Sequence, residues 1–207
     1  MRSGRKSRTM RRWWWHQQGF AGCLAVLLGL IIPHPPSLAQ SPKLPAALQT
    51  YFDHLEAGQE SLTLRDYPAA IAAFTQAIRV FPQRFEAYYQ RAQAYSFLPN
   101  DAAALADVNQ AIQLNPKYAP AYTLRASLHF RSRQLAAALA DVNQSLALDP
   151  QQPAAYGLRG AIKREMQDIP GALADFQQGM TIAQTRKQFS LYKTLQQELE
   201  RTQQLPR

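Results

Sequence analysis

Arginine and aspartate recur along this 207-residue chain at matched, regular positions. Three arginines stand at equal intervals, and three aspartates repeat with the same period: Arg91, Arg125 and Arg159, then Asp107, Asp141 and Asp175. A planar guanidinium binds a carboxylate through two parallel hydrogen bonds, so each arginine is predicted to pair with the aspartate that follows it in this series. The alternative is a row of arginines that faces an acidic ligand. One period earlier the chain has Ala57 and Ala73, so both charges are absent together, which favours pairing.

The other reactive side chains form no catalytic or metal-binding motif in the sequence. Only His54 and His129 occur after residue 39, and the single cysteine, Cys23, precedes it. The chain has no HExxH motif, no CxxC pair, no glycine-rich phosphate loop and no GxSxG elbow. We therefore predict no enzymatic activity, no cofactor and no metal site, and we interpret His129 as a core or groove residue.

A 34-residue repeat supplies the elements that position these charges. Each copy has apolar residues at i, i+3 and i+7, which form one face of an α-helix. The central members of these faces are Phe74, Val108, Val142 and Phe176. A second helix precedes each one and presents a column of small residues: Gly58, Ala92, Ala126 and Gly160. Each repeat is thus predicted to be a closely packed helix pair. The first three copies close on Pro82, Pro116 and Pro150, because proline cannot continue a helix.

These columns resemble those of bacterial-type members of the tetratricopeptide repeat family. The second copy has every hallmark residue: Tyr88, Ala92, Tyr95, Ala104, Val108, Ala111 and Pro116. The other copies depart at some hallmark places, which hold His54, Ser61, His129, Ser145, Lys163, Gly179 and Gln184. The resemblance covers residues 51–186 and implies an all-α solenoid of about four helix-turn-helix repeats. Their expected bounds are 51–84, 85–118, 119–152 and 153–186.

The segments that flank the repeats are predicted to be a linker and a cap. Residues 40–50 include Pro42 and Pro45 and are expected to be a linker. Residues 187–207 are expected to form a capping helix and tail, because the last repeat would otherwise expose its apolar face. The apolar side of that helix would hold Phe189, Tyr192, Leu195 and Leu199.

The resemblance also implies a role in binding another protein. Such arrays form an extended concave surface, and in this family the first helix of each repeat lines it. The candidate partner-binding groove then includes Tyr89, Gln93, Thr123, Ser127, Phe130, Arg131 and Arg164. The expected function is a non-enzymatic scaffold or adaptor for a protein or peptide. Some family members clamp the carboxylate tails of heat-shock chaperones with Lys, Asn and Arg. The matching places here are Leu55, Gln59, Gln90, Pro120 and Leu124, so that partner is not expected.

Residues 1–39 have the pattern of a secretory signal peptide. A basic start is followed by an apolar run over residues 20–32 and by Ser37-Leu38-Ala39, which suits signal peptidase. This run is shorter than the roughly 20 residues that span a bilayer. We predict a periplasmic or secreted protein. The alternatives are an uncleaved anchor over residues 13–32, which would make a membrane-tethered recruitment factor, and a lipoprotein box ending at Cys23, although the apolar run lies mostly after that cysteine.

The charge distribution weakens a nucleic-acid interpretation. The whole chain has a formal charge of +9, but six basic residues lie before residue 39 and no acid precedes Asp53. The remainder has 17 basic and 14 acidic residues, a net of +3. An RNA-binding helical array is therefore kept only as an alternative, and no nucleic-acid partner is expected.

Overall fold

The computed structural model describes residues 45–98 and 100–205. These residues form α-helices joined by short turns, with no strand among them, so the predicted all-α class is confirmed. The helices are α1 (Ala46–Thr63), α2 (Tyr67–Val80), α3 (Phe85–Ser96), α4 (Asp101–Leu114), α5 (Ala119–Arg131), α6 (Leu135–Leu148), α7 (Pro153–Glu165), α8 (Ile169–Thr185) and α9 (Phe189–Gln203). The predicted signal peptide, residues 1–39, lies outside the described part. No helix in that part is long and apolar enough to cross a membrane.

The helices pack as four sequential pairs, with α9 against the last pair. The pairs are α1–α2, α3–α4, α5–α6 and α7–α8, and α9 contacts both α8 and α7. Each odd-numbered helix also touches the next odd-numbered helix, whereas the even-numbered helices described here do not touch one another. The odd-numbered helices therefore line the inner side of the array. This arrangement confirms the predicted solenoid of helix pairs.

The repeat-closing prolines fix where the second helix of a repeat stops. Helices α2, α4 and α6 each end shortly before a closing proline, at Val80, Leu114 and Leu148. The fourth repeat has Gln184 in place of the proline, and α8 continues through it to Thr185. Because glutamine keeps its backbone N–H and does not clash with the preceding turn, the helix has no reason to stop.

The first helix starts earlier than the sequence columns indicated. Helix α1 begins at Ala46, so residues 46–50 of the segment predicted as a linker are helical, and the boundary is corrected to Pro45. The Pro45 carbonyl accepts hydrogen bonds from the N–H groups of Leu48 and Gln49. A proline is well tolerated at a helix start, where its missing N–H would have no partner in any case.

Two features recur in the described turns within the repeats, although not in every repeat. Arg65, Arg133 and Gln167 have φ between 60° and 65°, in the left-handed region, and they occupy the same position in their respective repeats. The next residue is the N-cap of the second helix. Asp66, Asn100 and Asp168 accept a hydrogen bond from a backbone N–H in the first turn of that helix, whereas Gln134 makes no such cap. The turn of the third repeat is therefore the one described turn of this kind without a side-chain N-cap.

The core of each repeat is filled by one of two residue combinations. In the first repeat Phe74 lies directly on Gly58, where an added Cβ would come 2.3 Å from Phe74 Cε1. In the fourth repeat the same relation joins Gly160 and Phe176, at 2.8 Å. The middle repeats use the smaller apolar residue against alanine, as Ala92 with Val108 and Ala126 with Val142. Where the second helix of a repeat has phenylalanine instead of valine, the first helix thus has glycine instead of alanine.

Candidate functional site

The predicted arginine–aspartate pairs are present in the structure. Arg91 Nε donates to Asp107 Oδ2 at 2.7 Å, and Arg91 Nη2 donates to Oδ1 at 2.8 Å. The two contacts recur at 2.8 and 2.6 Å for Arg125–Asp141 and at 2.9 and 2.6 Å for Arg159–Asp175. The pairing hypothesis is confirmed. The alternative, a row of arginines free to face an acidic ligand, is wrong, because each guanidinium is held by its own carboxylate.

Each of these arginines also reaches back to the preceding repeat. The Nη1 atoms of Arg91, Arg125 and Arg159 donate to Thr75 Oγ1 at 2.9 Å, Asn109 Oδ1 at 2.8 Å and Asn143 Oδ1 at 3.1 Å. A single guanidinium thus joins three helices from two repeats. We call this set of contacts, centred on Arg91, Arg125 and Arg159, the arginine ladder. Sequence reasoning missed its third contact, although Thr75, Asn109 and Asn143 also form a column with the period of the repeat.

Aromatic rings and hydrogen bonds surround the ladder arginines. The guanidinium carbons lie 5.9, 5.6 and 5.3 Å from the ring centroids of Tyr88, Tyr122 and Tyr156. The hydrogen bonds to Asp107 and Asp141 raise the pKa of Arg91 and of Arg125 above the ordinary arginine value. All three aspartates are buried. Each ladder arginine therefore stabilises the packing of its helices and is not free to pair with a ligand.

Two departures from the family hallmarks also belong to the ladder. His129 and Lys163 occupy an aromatic column, and each approaches the aspartate of its own repeat. His129 Nε2 lies 3.8 Å from Asp141 Oδ2, and Lys163 Nζ lies 2.8 Å from Asp175 Oδ2. The His129 side chain is therefore largely buried beside the aspartate of its own repeat. Among residues 45–98 and 100–205, no group of three or more His, Cys, Asp or Glu side chains could hold a metal ion.

All seven predicted groove residues lie on odd-numbered helices, which form the inner side of the array. Tyr89 and Gln93 lie on α3, the residues from Thr123 to Arg131 lie on α5, and Arg164 lies on α7. Phe130 packs against the buried cluster that joins the third and fourth repeats. Tyr89 meets the Tyr118 ring edge-on at 5.0 Å, and burial raises the pKa of Tyr89.

The two groove arginines are neutralised within the chain. Arg131 forms an ion pair with Asp101 and donates from Nη1 to the Ser96 carbonyl at 2.7 Å. Arg164 Nη1 donates to Glu198 Oε2 on α9 at 2.7 Å. The predicted set therefore includes hydroxyl, amide and aromatic groups, of which Thr123 Oγ1 already contacts Ser145 Oγ at 2.7 Å, and its two arginines are paired within the chain.

Three buried polar atoms on the first two odd-numbered helices have no hydrogen-bond partner among the described residues. They are the Tyr51 hydroxyl, Glu86 Oε2 and Gln90 Oε1. The nearest cation to the other Glu86 oxygen is Arg84, whose Nη1 lies 3.8 Å from Oε1. Glu86 was not predicted from the sequence, because its column contains Phe52, Pro120 and Ala154 and so has no shared chemistry.

An open depression of about 890 Å³ lies outside the predicted groove set. It is lined by the start of α7 and by the turn and first residues that lead into α9, including Arg186, Lys187 and Phe189. None of the seven predicted groove residues lines it. The predicted groove and this depression are therefore separate features of the surface.

Comparison with protein families supports the assignment of the repeats. A tetratricopeptide repeat family model matches residues 55–119 and 100–153. A search of curated protein sequences gives no match.

Solved structures supply similar folds. The first TPR of Spaghetti (RPAP3), bound to the HSP90 peptide SRMEEVD, is 28% identical, with a TM-score of 0.56 over 57% of this chain and 94% of that one. The first TPR domain of human RPAP3 is 27% identical, with a TM-score of 0.56 over 58% and 94%. MamA is 17% identical, with a TM-score of 0.57 over 74% and 90%, and shares the fold. The described chain is a tetratricopeptide-type α-solenoid, and the sequence match and these neighbours support the tetratricopeptide repeat family.

Proposed function

We propose that this protein is a non-enzymatic adaptor that binds a peptide segment or a partner domain along the inner side of its array. The observation that supports this most directly is the continuous inner surface formed by consecutive odd-numbered helices. It displays partly exposed hydroxyl and amide groups beside aromatic rings, as at Ser127 and Gln93. An extended concave surface of this kind suits a partner in extended conformation. The similar array of Spaghetti (RPAP3) is bound to a peptide.

The proposed site of action is the cell envelope, in the periplasm or outside the cell. The support for it is the leader pattern of residues 1–39, with its basic start, its apolar run and the small residues Ser37 and Ala39. If residues 13–32 instead remain as an anchor, the same array would recruit soluble partners to the membrane surface.

Site-specific crosslinking in intact cells tests the adaptor role. A photoreactive amino acid at Ser127, on α5, should capture a partner, because this position belongs to the predicted groove. The matched control is Gln113, an exposed residue of α4 on an even-numbered helix. A partner captured equally well from Gln113, or from Gln113 alone, would contradict binding in the groove.

The intact mass of the protein from its native host tests the location. Cleavage after Ala39 predicts a chain that starts at Gln40 and lacks tryptophan, since all three tryptophans, Trp13, Trp14 and Trp15, lie in the leader. A mass that includes the leader, together with membrane association, would support the tethered alternative. Retention on RNA that falls steeply with added salt would instead favour the nucleic-acid alternative.

A further inference from the structure

The open depression between the starts of α7 and α9 has charge of one sign. Its lining includes two cations, Arg186 and Lys187, and no aspartate or glutamate. Both side chains are exposed, and within the described ranges neither forms an ion pair. The two groove arginines differ, since Asp101 and Glu198 hold them. The depression therefore keeps two positive charges that the described residues do not neutralise.

An exposed aromatic ring lies beside these charges. Phe189, which the sequence placed on the apolar side of the cap helix, lines the depression and is 65% exposed. Leu191 also lines it and is partly exposed, whereas Leu195, further along the same helix, is buried. A phenyl ring left in contact with water is stabilised when another apolar group covers it. The depression therefore combines cations with an uncovered apolar surface.

The backbone around the depression has the same electrostatic sign as its cations. Helices α7 and α9 both begin there, with Gln152 and Gln188 as their N-cap residues. Neither N-cap side chain accepts a hydrogen bond from the first turn of its helix. Because the N–H groups of a first turn attract negative charge, both helix starts reinforce the positive potential set by Arg186 and Lys187.

A peptide segment with acidic and apolar side chains has the chemistry that complements this surface. Carboxylates form charge-assisted hydrogen bonds with arginine and lysine, and a neighbouring apolar side chain packs on Phe189. A volume of about 890 Å³ accommodates a few side chains, whereas the surface of a bilayer is flat. Nucleic acid needs a longer row of cations than the two in this lining, because its affinity comes from many phosphate contacts.

We infer that this depression is a second docking site, which binds an acidic peptide segment of a partner protein. Two carboxylates of the segment pair with Arg186 and Lys187, and an adjacent apolar side chain covers Phe189. None of the seven predicted groove residues lines the depression, so the two surfaces can hold different segments at the same time. This inference goes beyond the proposed function, which concerns the inner side of the array.

The test uses the full chain and an array of random-sequence decapeptides at low ionic strength, where surface charges are least screened. The wild-type protein should retain a class of peptides that combines Asp or Glu with an aromatic or large aliphatic residue. Arg186→Gln with Lys187→Gln should bind that class roughly tenfold more weakly, because two ion pairs are lost. Phe189→Ser should weaken it by a similar factor, because the apolar contact is lost. Glutamine suits the left-handed φ of residue 187, since Gln167 has a similar φ.

The matched control removes two exposed cations that lie outside the depression. Arg79→Gln with Lys117→Gln gives the chain the same net charge as the first double variant. It should leave the binding of the acidic class unchanged. Equal thermal unfolding of the wild-type protein and the variants excludes misfolding as the cause of any loss.

The outcomes separate this inference from the proposed function. It is overturned if no acidic class is retained, if the variant with Arg186→Gln and Lys187→Gln retains that class fully, or if both double variants lose it equally. Binding of anionic vesicles or RNA, but not of acidic peptides, through the same two cations would overturn it as well. Arg186→Glu with Lys187→Glu gives a second check, since it should reverse the selection towards basic peptides. In every case, partner capture from the photoreactive residue at Ser127 decides the adaptor role separately.

Discussion

The first and second repeats share one backbone plan but hold their helix pairs together by different chemistry. In the first, Phe74 fills the space over Gly58, and no ladder charges are present. In the second, a smaller core is joined by the pair between Arg91 and Asp107. The fourth repeat combines a glycine–phenylalanine core with a ladder pair, so the two devices vary independently. A larger side chain on one helix requires a smaller one on its partner helix. The two opposite charges, in contrast, must be present together or absent together.

The largest expected effect comes from breaking a ladder pair. Asp107→Ala should lower the free energy of unfolding by about 3 kcal/mol, because it leaves Arg91 partly buried without its carboxylate. Urea unfolding measures the change, and Glu60→Ala on the exposed side of α1 serves as the control, expected within about 0.5 kcal/mol of wild type.

The reverse experiment adds the pair to the first repeat. Ala73→Asp alone should destabilise the protein, and the combination with Ala57→Arg should recover that loss.

A decrease in the free energy of unfolding for Asp107→Ala no larger than that of the exposed control would refute the view that the ladder holds the repeats together.

The next effect comes from the steric column. Gly58→Ala should cost about 2 kcal/mol, since its new methyl group would overlap the Phe74 ring. Adding Phe74→Val recreates the combination found in the second repeat and should restore part of the stability. Thermal or urea unfolding of both single variants and the double variant gives the coupling energy. Strictly additive losses would show that the two positions are not matched to each other.

A smaller effect is expected at the uncapped turn. Gln134→Asp should stabilise the protein by about 1 kcal/mol, because it supplies the N-cap that the other described repeats have. The loss of the contact between Gln134 and His129, at 2.6 Å, will offset part of this gain. Asp66→Ala is the matched opposite and should lower the melting temperature. If Gln134→Asp also lowers it, the histidine contact matters more than the cap.

The smallest effect concerns the left-handed turn residues. Arg65→Gly should raise the free energy of unfolding by about 0.5 kcal/mol, because glycine adopts a φ of 60° without a Cβ penalty. Gln76→Gly, on the exposed side of α2, should lower it by about 1 kcal/mol. Opposite signs for the two substitutions in urea unfolding are the expected result, and a loss at both positions would contradict it.

The period of the repeat was sufficient to predict the helix pairs and the ladder pairs. Each of these depends on residues that recur in step, such as Arg125 with Asp141. The start of α1 was missed because residues 46–50 precede the first aligned column. The third ladder contact also has a periodic column in the sequence, which begins with Thr75. It was missed because this column contains threonine and asparagine, not one residue type.

The state of the groove could not be predicted in the same way. Arg131 is neutralised by Asp101, which precedes it in the chain, and Arg164 by Glu198, which follows it. One acidic partner precedes its arginine in the chain and the other follows it. No common sequence spacing therefore predicts the two ion pairs. The burial of Glu86 Oε2 is likewise a property of its surroundings, which only the packed structure defines.

The arginine ladder has a mechanical consequence. Each of its guanidinium groups joins helices of two successive repeats, so tension along the array would be shared among neighbouring repeats. Inside the first hairpin, between α1 and α2, the ladder supplies no such link, since Ala57 and Ala73 stand in its columns. If the protein is pulled by its two ends, the first hairpin is therefore expected to yield first. The later repeats would then stay folded while that hairpin extends.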